Sequence, residues 1–456
     1  MKKHLFIIAQ KIGIDKAIAY TSGNGVLGAI IGVFSVVLYA ACLSKEEQGY
    51  YYTFASVLAL QVFFELGFTG VMTQFVAHER AHLSLNSEES KLDGDDIHKS
   101  RLSSLLHFCV KWYSIIAVLF LIILQFAGSY FFKEFGKTDK VDWETPWIII
   151  SLVSAWNLFV SPLFSFIYGL GFVKEIAKMG FYRTIINTIV LWGCLLWGMK
   201  LYSMAFSTVI SSVYVIAYFA IHNYLEMLLN IWKNKISERV SYFKELFPFQ
   251  WKIALSWISG YFIFNFMNPV IFATEGAVVA GQFGMTLTAL NAIQSLALGW
   301  LTTKVPYYSQ LIAFKDYARL DCLFNKTLKQ MSSVCLSLLV FFFLFLWLLN
   351  ITQFSIGGTV FAHRLLSFFP TFLLALPIIL GQYVNSWATY LRCHKQEPYL
   401  LNSVVCGILN CLSTFILGNL YGLWGITIGY CAISLITFPW AYHVFKIKKM
   451  EWHGQI

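Results

Sequence analysis

The chain has 456 residues, 58% of them hydrophobic and only 12% charged, with a net charge of +10 and a mean hydropathy of +0.65. A soluble globular domain carries roughly 25% charged residues, so the soluble enzyme classes are excluded. No basic soluble domain is present, which removes nucleic acid as a partner and leaves the positive charge to membrane-surface electrostatics.

Residues 1–20 set Lys2, Lys3, Lys11 and Lys16 among Leu5, Phe6, Ile7, Ile8, Ile12 and Ile14. That pattern predicts an amphipathic helix in the membrane interface rather than a cleaved signal. Stretches long enough to cross a bilayer, which takes about 20 apolar residues, then recur near 22–43, 50–76, 105–132, 146–170, 181–199, 202–225, 251–273, 279–303, 331–352, 365–390, 399–418 and 422–445. They are too long, and too rich in Leu, Ile, Phe and Val, to be the alternating strands of a barrel. The chain is therefore expected to be all-α and polytopic, with about 12 transmembrane helices. Of the 33 Lys and Arg, only Lys45, Lys133, Lys137, Lys140, Lys200 and Arg364 fall in the odd-numbered gaps. The rest flank the opposite side, which predicts that both termini are cytoplasmic.

The gap 226–250 interleaves Lys233, Lys235, Arg239 and Lys244 with Ile231, Trp232, Ile236 and Phe243. It predicts a six-helix N-terminal lobe over 1–228, an amphipathic cytoplasmic connector over 229–250, and a six-helix C-terminal lobe over 251–456. Gly49 and Gly67 in the second stretch are spaced as Gly281 and Gly299 are in the eighth, a spacing that parallel repeats would leave behind. The nine cysteines form no C-x-x-C pair and read as reduced thiols within spans. Residues 80–102 form a polar loop of mixed charge, and 133–145 the one sizeable external loop. Neither could hold a catalytic domain, so the chain is not expected to be an enzyme.

Within the second stretch, Gln61 and Glu65 share one helical face, continued by Thr69. A carboxylate near mid-membrane is costly, so Glu65 is expected either to couple transport to an ion or to bond a neighbouring helix, for example at Asn24. Asn265 and Asn268 precede Pro269, which frees a backbone carbonyl, and Asn291 and Gln294 repeat the spacing in the next stretch. Together these residues predict a polar cavity between the two lobes, against the plainer reading of interhelical hydrogen bonds. Near the inner face, Arg80, Lys111, Lys304 and Arg392 either snorkel to the interface or meet an anionic headgroup phosphate. His78-Glu79-Arg80-Ala81-His82 matches the H-E-x-x-H pattern of zinc proteases. Its place at the end of a span makes a membrane metalloprotease the distant alternative, and no metal site is expected.

The stretch Leu43–Glu79, LSKEEQGYYYTFASVLALQVFFELGFTGVMTQFVAHE, resembles the corresponding segment of polysaccharide-unit flippases of the O-antigen and capsule translocase type. So does 251–313, with the core WKIALSWISGYFIFNFMNPVIFATEGAVVAGQFGMTL. Those flippases belong to the multidrug/oligosaccharidyl-lipid/polysaccharide exporter superfamily. The resemblance implies two six-helix lobes around a central cavity, and alternating access driven by a gradient of protons or sodium with no bound cofactor. It implies as partners a polyprenyl (undecaprenyl) diphosphate-linked oligosaccharide, membrane lipids, and the polysaccharide polymerase and chain-length machinery, at a bacterial cytoplasmic (inner) membrane. A small-molecule or lipid exporter of the same superfamily is the nearest alternative.

Overall fold

The computed structural model describes residues 16–86, 91–136, 141–356, 359–394 and 396–453. The interfacial helix expected over 1–20 lies outside the described residues except for 16–20, which open α1 (Lys16–Cys42). Ser44 then caps α2 (Lys45–Leu58): its Oγ accepts from the Glu47 amide at 3.0 Å while Glu47 accepts from the Ser44 amide at 2.8 Å. This reciprocal pair satisfies amides that the first helical turn leaves free.

The second stretch is not one continuous helix. A tight turn over Ala59–Gln61 and a single helical turn over Val62–Glu65 end at Leu66 and Gly67, both left-handed, with φ of 50° and 66°. The chain bends by 43° into α3 (Phe68–Arg80). Gly67 supplies the positive φ at little cost, and its lack of a side chain matters too: a Cβ there would lie 2.3 Å from Ile253 Cγ2.

A hairpin follows, β1 (Leu83–Asn86) antiparallel to β2 (Lys91–Gly94), with Leu83 opposite Gly94. Next come α4 (Asp96–Ile123), α5 (Glu144–Gly169), α6 (Val173–Leu196), α7 (Tyr202–Ile221) and the short α8 (Tyr224–Trp232). After them lie α9 (Phe247–Phe264), α10 (Met267–Glu275), α11 (Ala277–Thr302), α12 (Val305–Ala313) and α13 (Tyr317–Thr352). A two-residue hairpin, β3 (Ser355–Ile356) with β4 (Thr359–Val360), precedes α14 (Phe368–Arg392) and α15 (Leu400–His453).

The fold is that of an all-α, multi-pass membrane protein. Among the described residues nine helices are long and apolar enough to span a bilayer, ten if the bent second pair is one span. α15 holds two of the expected stretches, divided at Gly422, whose φ of 55° and ψ of −135° are not helical. α11 is helical over its 26 residues but less apolar, because Gln282, Thr286, Thr288, Asn291 and Gln294 interrupt it.

The described residues group into two compact units: 16–24, 60–86, 91–132 and 142–257 in the first; 25–59, 133–136, 141, 258–356, 359–394 and 396–453 in the second. In the first unit, α4 widens into a π turn over Leu124–Gly128. The Trp147 indole donates to the freed Leu124 carbonyl at 3.1 Å, and its ring fills the space where a Cβ on Gly128 would sit, 2.4 Å from Cζ2.

In the second unit, α2 and α11 cross at backbone distance. A Cβ on Gly49 would meet the Ala277 carbonyl oxygen at 1.9 Å, and one on Gly281 the Gly49 nitrogen at 2.8 Å. Gln48, beside the crossing, donates to the Gly281 carbonyl at 2.8 Å and the Arg364 carbonyl at 3.1 Å. The buried Arg364 guanidinium in turn donates to the Leu43 carbonyl at 2.7 Å. Of the four spaced glycines, then, Gly49 and Gly281 share one crossing, Gly67 makes a turn, and Gly299 has nothing within 4 Å of its Cβ direction. Gly49→Leu should lower stability by about 1–3 kcal/mol or prevent folding through overpacking, whereas Gly299→Ala should match wild type in thermal unfolding of the purified protein.

Candidate functional site

The break after Glu65 places a carboxylate where backbone groups are also freed. Glu65 is half-buried, and its Oε1 accepts from Thr69 Oγ1 at 2.8 Å across the bend. The Glu65 backbone carbonyl accepts from the Tyr113 hydroxyl of α4 at 3.3 Å. Gln61, also half-buried, closes the tight turn before it. A helix interrupted inside a span, with an acid at the interruption, is a form in which membrane proteins hold an ion or proton. Asn24 lies in the first unit on α1, its Oδ1 buried and, among the described residues, without a partner. The neighbouring Gly23 packs over Phe181 of α6, 3.7 Å from Cε2.

A second polar group in the first unit escaped the sequence reading. α6 begins at Val173 rather than near 181, which moves Arg183 from the edge of its span to the eleventh of 24 residues. At 1.5 Å per residue that is about 15 Å into the helix. Arg183 Nη2 donates to Asn157 Oδ1 of α5 at 3.2 Å, and Ser212 Oγ of α7 donates to the same oxygen at 3.0 Å. All three residues sit near the middle of their spans. Among the described residues no carboxylate pairs with the guanidinium. The missed signal was the amphipathic lead-in Val173–Met179, in which Lys174, Glu175 and Lys178 hide the first two turns of the span.

The H-E-x-x-H match resolves into a structural network. Glu79 is buried, with Oε2 2.6 Å from His98 Nδ1 and Oε1 accepting from Arg101 Nε at 2.8 Å. Arg101 continues through Nη2 to Glu245 Oε2 at 2.6 Å. Burial raises the Glu245 pKa, but the Ser241 amide and Arg101 outweigh it and hold the carboxylate below its ordinary value. His78 is exposed, His82 stacks on His98 with ring centres 4.1 Å apart, and among the described residues no three His, Cys, Asp or Glu side chains gather as a metal site would need. Arg80 donates to the Leu83 carbonyl and so helps hold the hairpin, although its Nε is buried without a partner.

In the second unit the amides divide. Asn268 is buried and bonded at both ends, accepting from Thr53 Oγ1 at 2.8 Å and donating to the Ala280 carbonyl at 3.2 Å. Asn265 is half-buried in the turn between α9 and α10, four residues before Pro269. Proline in the first turn of α10 removes the amide that would have bonded the Asn265 carbonyl, which accounts for the interruption there. Asn291 is exposed on α11, and Gln294 is half-buried, its carbonyl accepting from Gln382 Nε2 at 3.0 Å.

The expected cations are divided between the units. Lys111 and Arg80 belong to the first, Lys304 and Arg392 to the second. Lys111 and Lys304 are exposed, and Arg392 is held by both Glu397 oxygens at 2.7 and 2.8 Å.

Long apolar helices, several with polar groups held at mid-span, define a multi-pass membrane protein. The chain belongs to the polysaccharide biosynthesis protein family, which it matches over residues 14–312, and its fold is that of the multidrug/oligosaccharidyl-lipid/polysaccharide exporter superfamily. Among solved structures it is similar to the MATE multidrug transporter DinF-BH, with a TM-score of 0.59 and 14% identity over 95% of this chain and 96% of that one. It is similar to the lipid II flippase MurJ in an inward closed conformation, with a TM-score of 0.56 and 15% identity over 94% of this chain and 88% of that one. An outward-facing multidrug resistance MATE family transporter of the same superfamily gives a TM-score of 0.55 at 14% identity, over 94% of this chain and 96% of that one. At such identities the likeness is one of fold. No curated protein matches the chain in sequence.

Removing Glu79 would leave His98 and Arg101 facing a buried void. Glu79→Ala should therefore cost about 3 kcal/mol or more, and His82→Ala well under half of that, in denaturation of the purified protein. Equal losses from the two substitutions would remove the structural assignment of Glu79.

Proposed function

We propose that this chain is a flippase for a lipid-linked saccharide. It moves an oligosaccharide carried on polyprenyl (undecaprenyl) diphosphate from the cytoplasmic to the outer leaflet of a bacterial cytoplasmic membrane, supplying a surface polysaccharide such as O-antigen, capsule or exopolysaccharide. Family membership supports a membrane flippase. The observation that carries the finer reading is the Arg183 guanidinium, held at mid-span by the neutral Asn157 amide. A cation kept in hydrocarbon without a counter-charge is costly, and a diphosphate passing the site would supply that charge.

No covalent chemistry is required. The work is to lower the barrier for a hydrophilic head crossing about 30 Å of hydrocarbon, by alternating access with both termini in the cytoplasm. Glu65 and Gln61, at the break of the second span, are the residues for coupling to a proton or sodium gradient. The polymerase and chain-length machinery would take up the delivered saccharide.

One observation favours the rival reading, an exporter of small cationic molecules: Glu65 is an acid held inside a span, and it would attract a cation where Arg183 would repel one. In proteoliposomes carrying a fluorescent polyprenyl-diphosphate saccharide, Arg183→Gln should slow translocation by about tenfold or more, equivalent to ~1.4 kcal/mol of lost stabilisation, and Arg183→Lys by less. Glu65→Gln should slow it and abolish its dependence on the ion gradient. Wild-type saccharide rates from Arg183→Gln, with uptake of a cationic dye lost in Glu65→Gln, would instead establish the exporter.

A further inference from the structure

The ends of α14 and α15 carry a titratable cluster that the proposed translocation does not use. His394 and His453, both in the second unit, face each other with their Nε2 atoms 3.3 Å apart. His394 Nδ1 lies 3.3 Å from the Tyr390 backbone carbonyl. Only an N–H can satisfy a carbonyl, so Nδ1 bears the His394 proton and Nε2 its lone pair. His453 must then donate from Nε2, which leaves its own Nδ1 as a bare acceptor. Among the described residues that atom is buried without a partner. The neutral pair is therefore compatible with one arrangement of protons.

The surroundings do not favour a charge. The Asp321 carboxylate of α13 accepts from the Tyr390 hydroxyl at 2.7 Å and pairs with Lys449 Nζ of α15 at 2.8 Å. The Tyr390 hydroxyl is 3.5 Å from His453 Nε2, and the Cys393 thiol neighbours Tyr390 on α14. The Tyr317 ring of α13 stacks on His453 at 4.0 Å, and Trp452 packs beside His394 at 4.9 Å. The facing carboxylate is thus already held by a lysine and a phenol.

We propose that His394 and His453 form a single-proton site whose filling releases the end of α14 from the end of α15. A proton added to His394 Nε2 turns the contact into two N–H groups facing each other. The alternative, moving the His453 proton to Nδ1, leaves a buried donor with no acceptor. The first arrangement breaks the contact, and the second keeps it only at the cost of that unpaired donor. Burial lowers the His394 pKa below its ordinary value, although the bond to the Tyr390 carbonyl opposes this. A base with a depressed folded-state pKa contributes stability that is complete above its unfolded pKa and lost as the pH falls below it. On the proposed orientation this end of the second unit is cytoplasmic, so protons arriving in the cytoplasm would loosen the helix ends and regulate transport. The site does not depend on which substrate is carried.

The test is thermal unfolding of the purified full chain at about pH 7.5 and about pH 5.5, on either side of the ordinary histidine pKa, in wild type and His394→Gln. Wild type should lose melting temperature at the lower pH, and the variant should lose distinctly less. A drop of equal size in both would overturn the proposal. Hydrogen exchange of the wild type at the two pH values, corrected for the intrinsic pH dependence of exchange, covers the case in which the variant does not fold. Protection over 390–394 and 446–453 should fall severalfold at the lower pH while that of α5 and α6 is unchanged. Uniform protection at both pH values, or equal loss throughout the chain, would count against the site.

Discussion

Hydrocarbon offers no hydrogen bonds, so a backbone crossing it must satisfy its own amides and carbonyls. Helix does this by default, and the structure can be read from the places where helix stops. After Glu65 the chain turns left-handed, and the Tyr113 hydroxyl reaches the Glu65 carbonyl. At the π turn of α4 the Trp147 indole takes the Leu124 carbonyl. At Gly422 the Glu275 carboxylate accepts the Leu423 amide at 3.1 Å. Side chains reaching over from neighbouring helices are therefore the groups that make broken helices tolerable.

Close approach is the second consequence of building in lipid. Lipid tails are as apolar as leucine, so helices associate by packing and by polar contacts rather than by escape from water. Gly49 and Gly281 bring α2 and α11 to backbone distance, and a Cβ on Gly407 of α15 would meet Ser259 Cα of α9 at 2.7 Å. Gln48 then bonds across the first of these crossings. Where all the partners are neutral, as around Asn268, the arrangement is complete. Around Arg183 the charge is left without an opposite charge among the described residues, which is why the proposed passage of an anionic headgroup is placed there.

Much of this architecture was legible beforehand because hydropathy acts locally. Each of the twelve expected stretches lies largely on helical backbone, the second, sixth and seventh interrupted within it. The errors have physical causes. Leu66 gives no sign of a left-handed residue, and the apolar run continues through it, so the break after Glu65 was invisible. Arg183 looked like the edge of a span because Lys174 and Lys178 lie just before it, whereas α6 includes them. Glu79 looked like part of a metal motif because sequence spacing cannot show that His98 and Arg101 of another helix already hold it.

Composition and periodicity by themselves determined the class: an all-α, multi-pass membrane protein, with its acids and amides confined to a few stretches. These are properties of single segments, set by the transfer of each side chain between water and hydrocarbon. Which polar groups are already partnered was decided only by tertiary structure. Asn268 and Glu79 are bonded by residues far away in sequence, while among the described residues Arg183 has only a neutral amide and Asn24 Oδ1 none. The cost of a buried polar group depends on the atom opposite it, and that atom lies on a different helix.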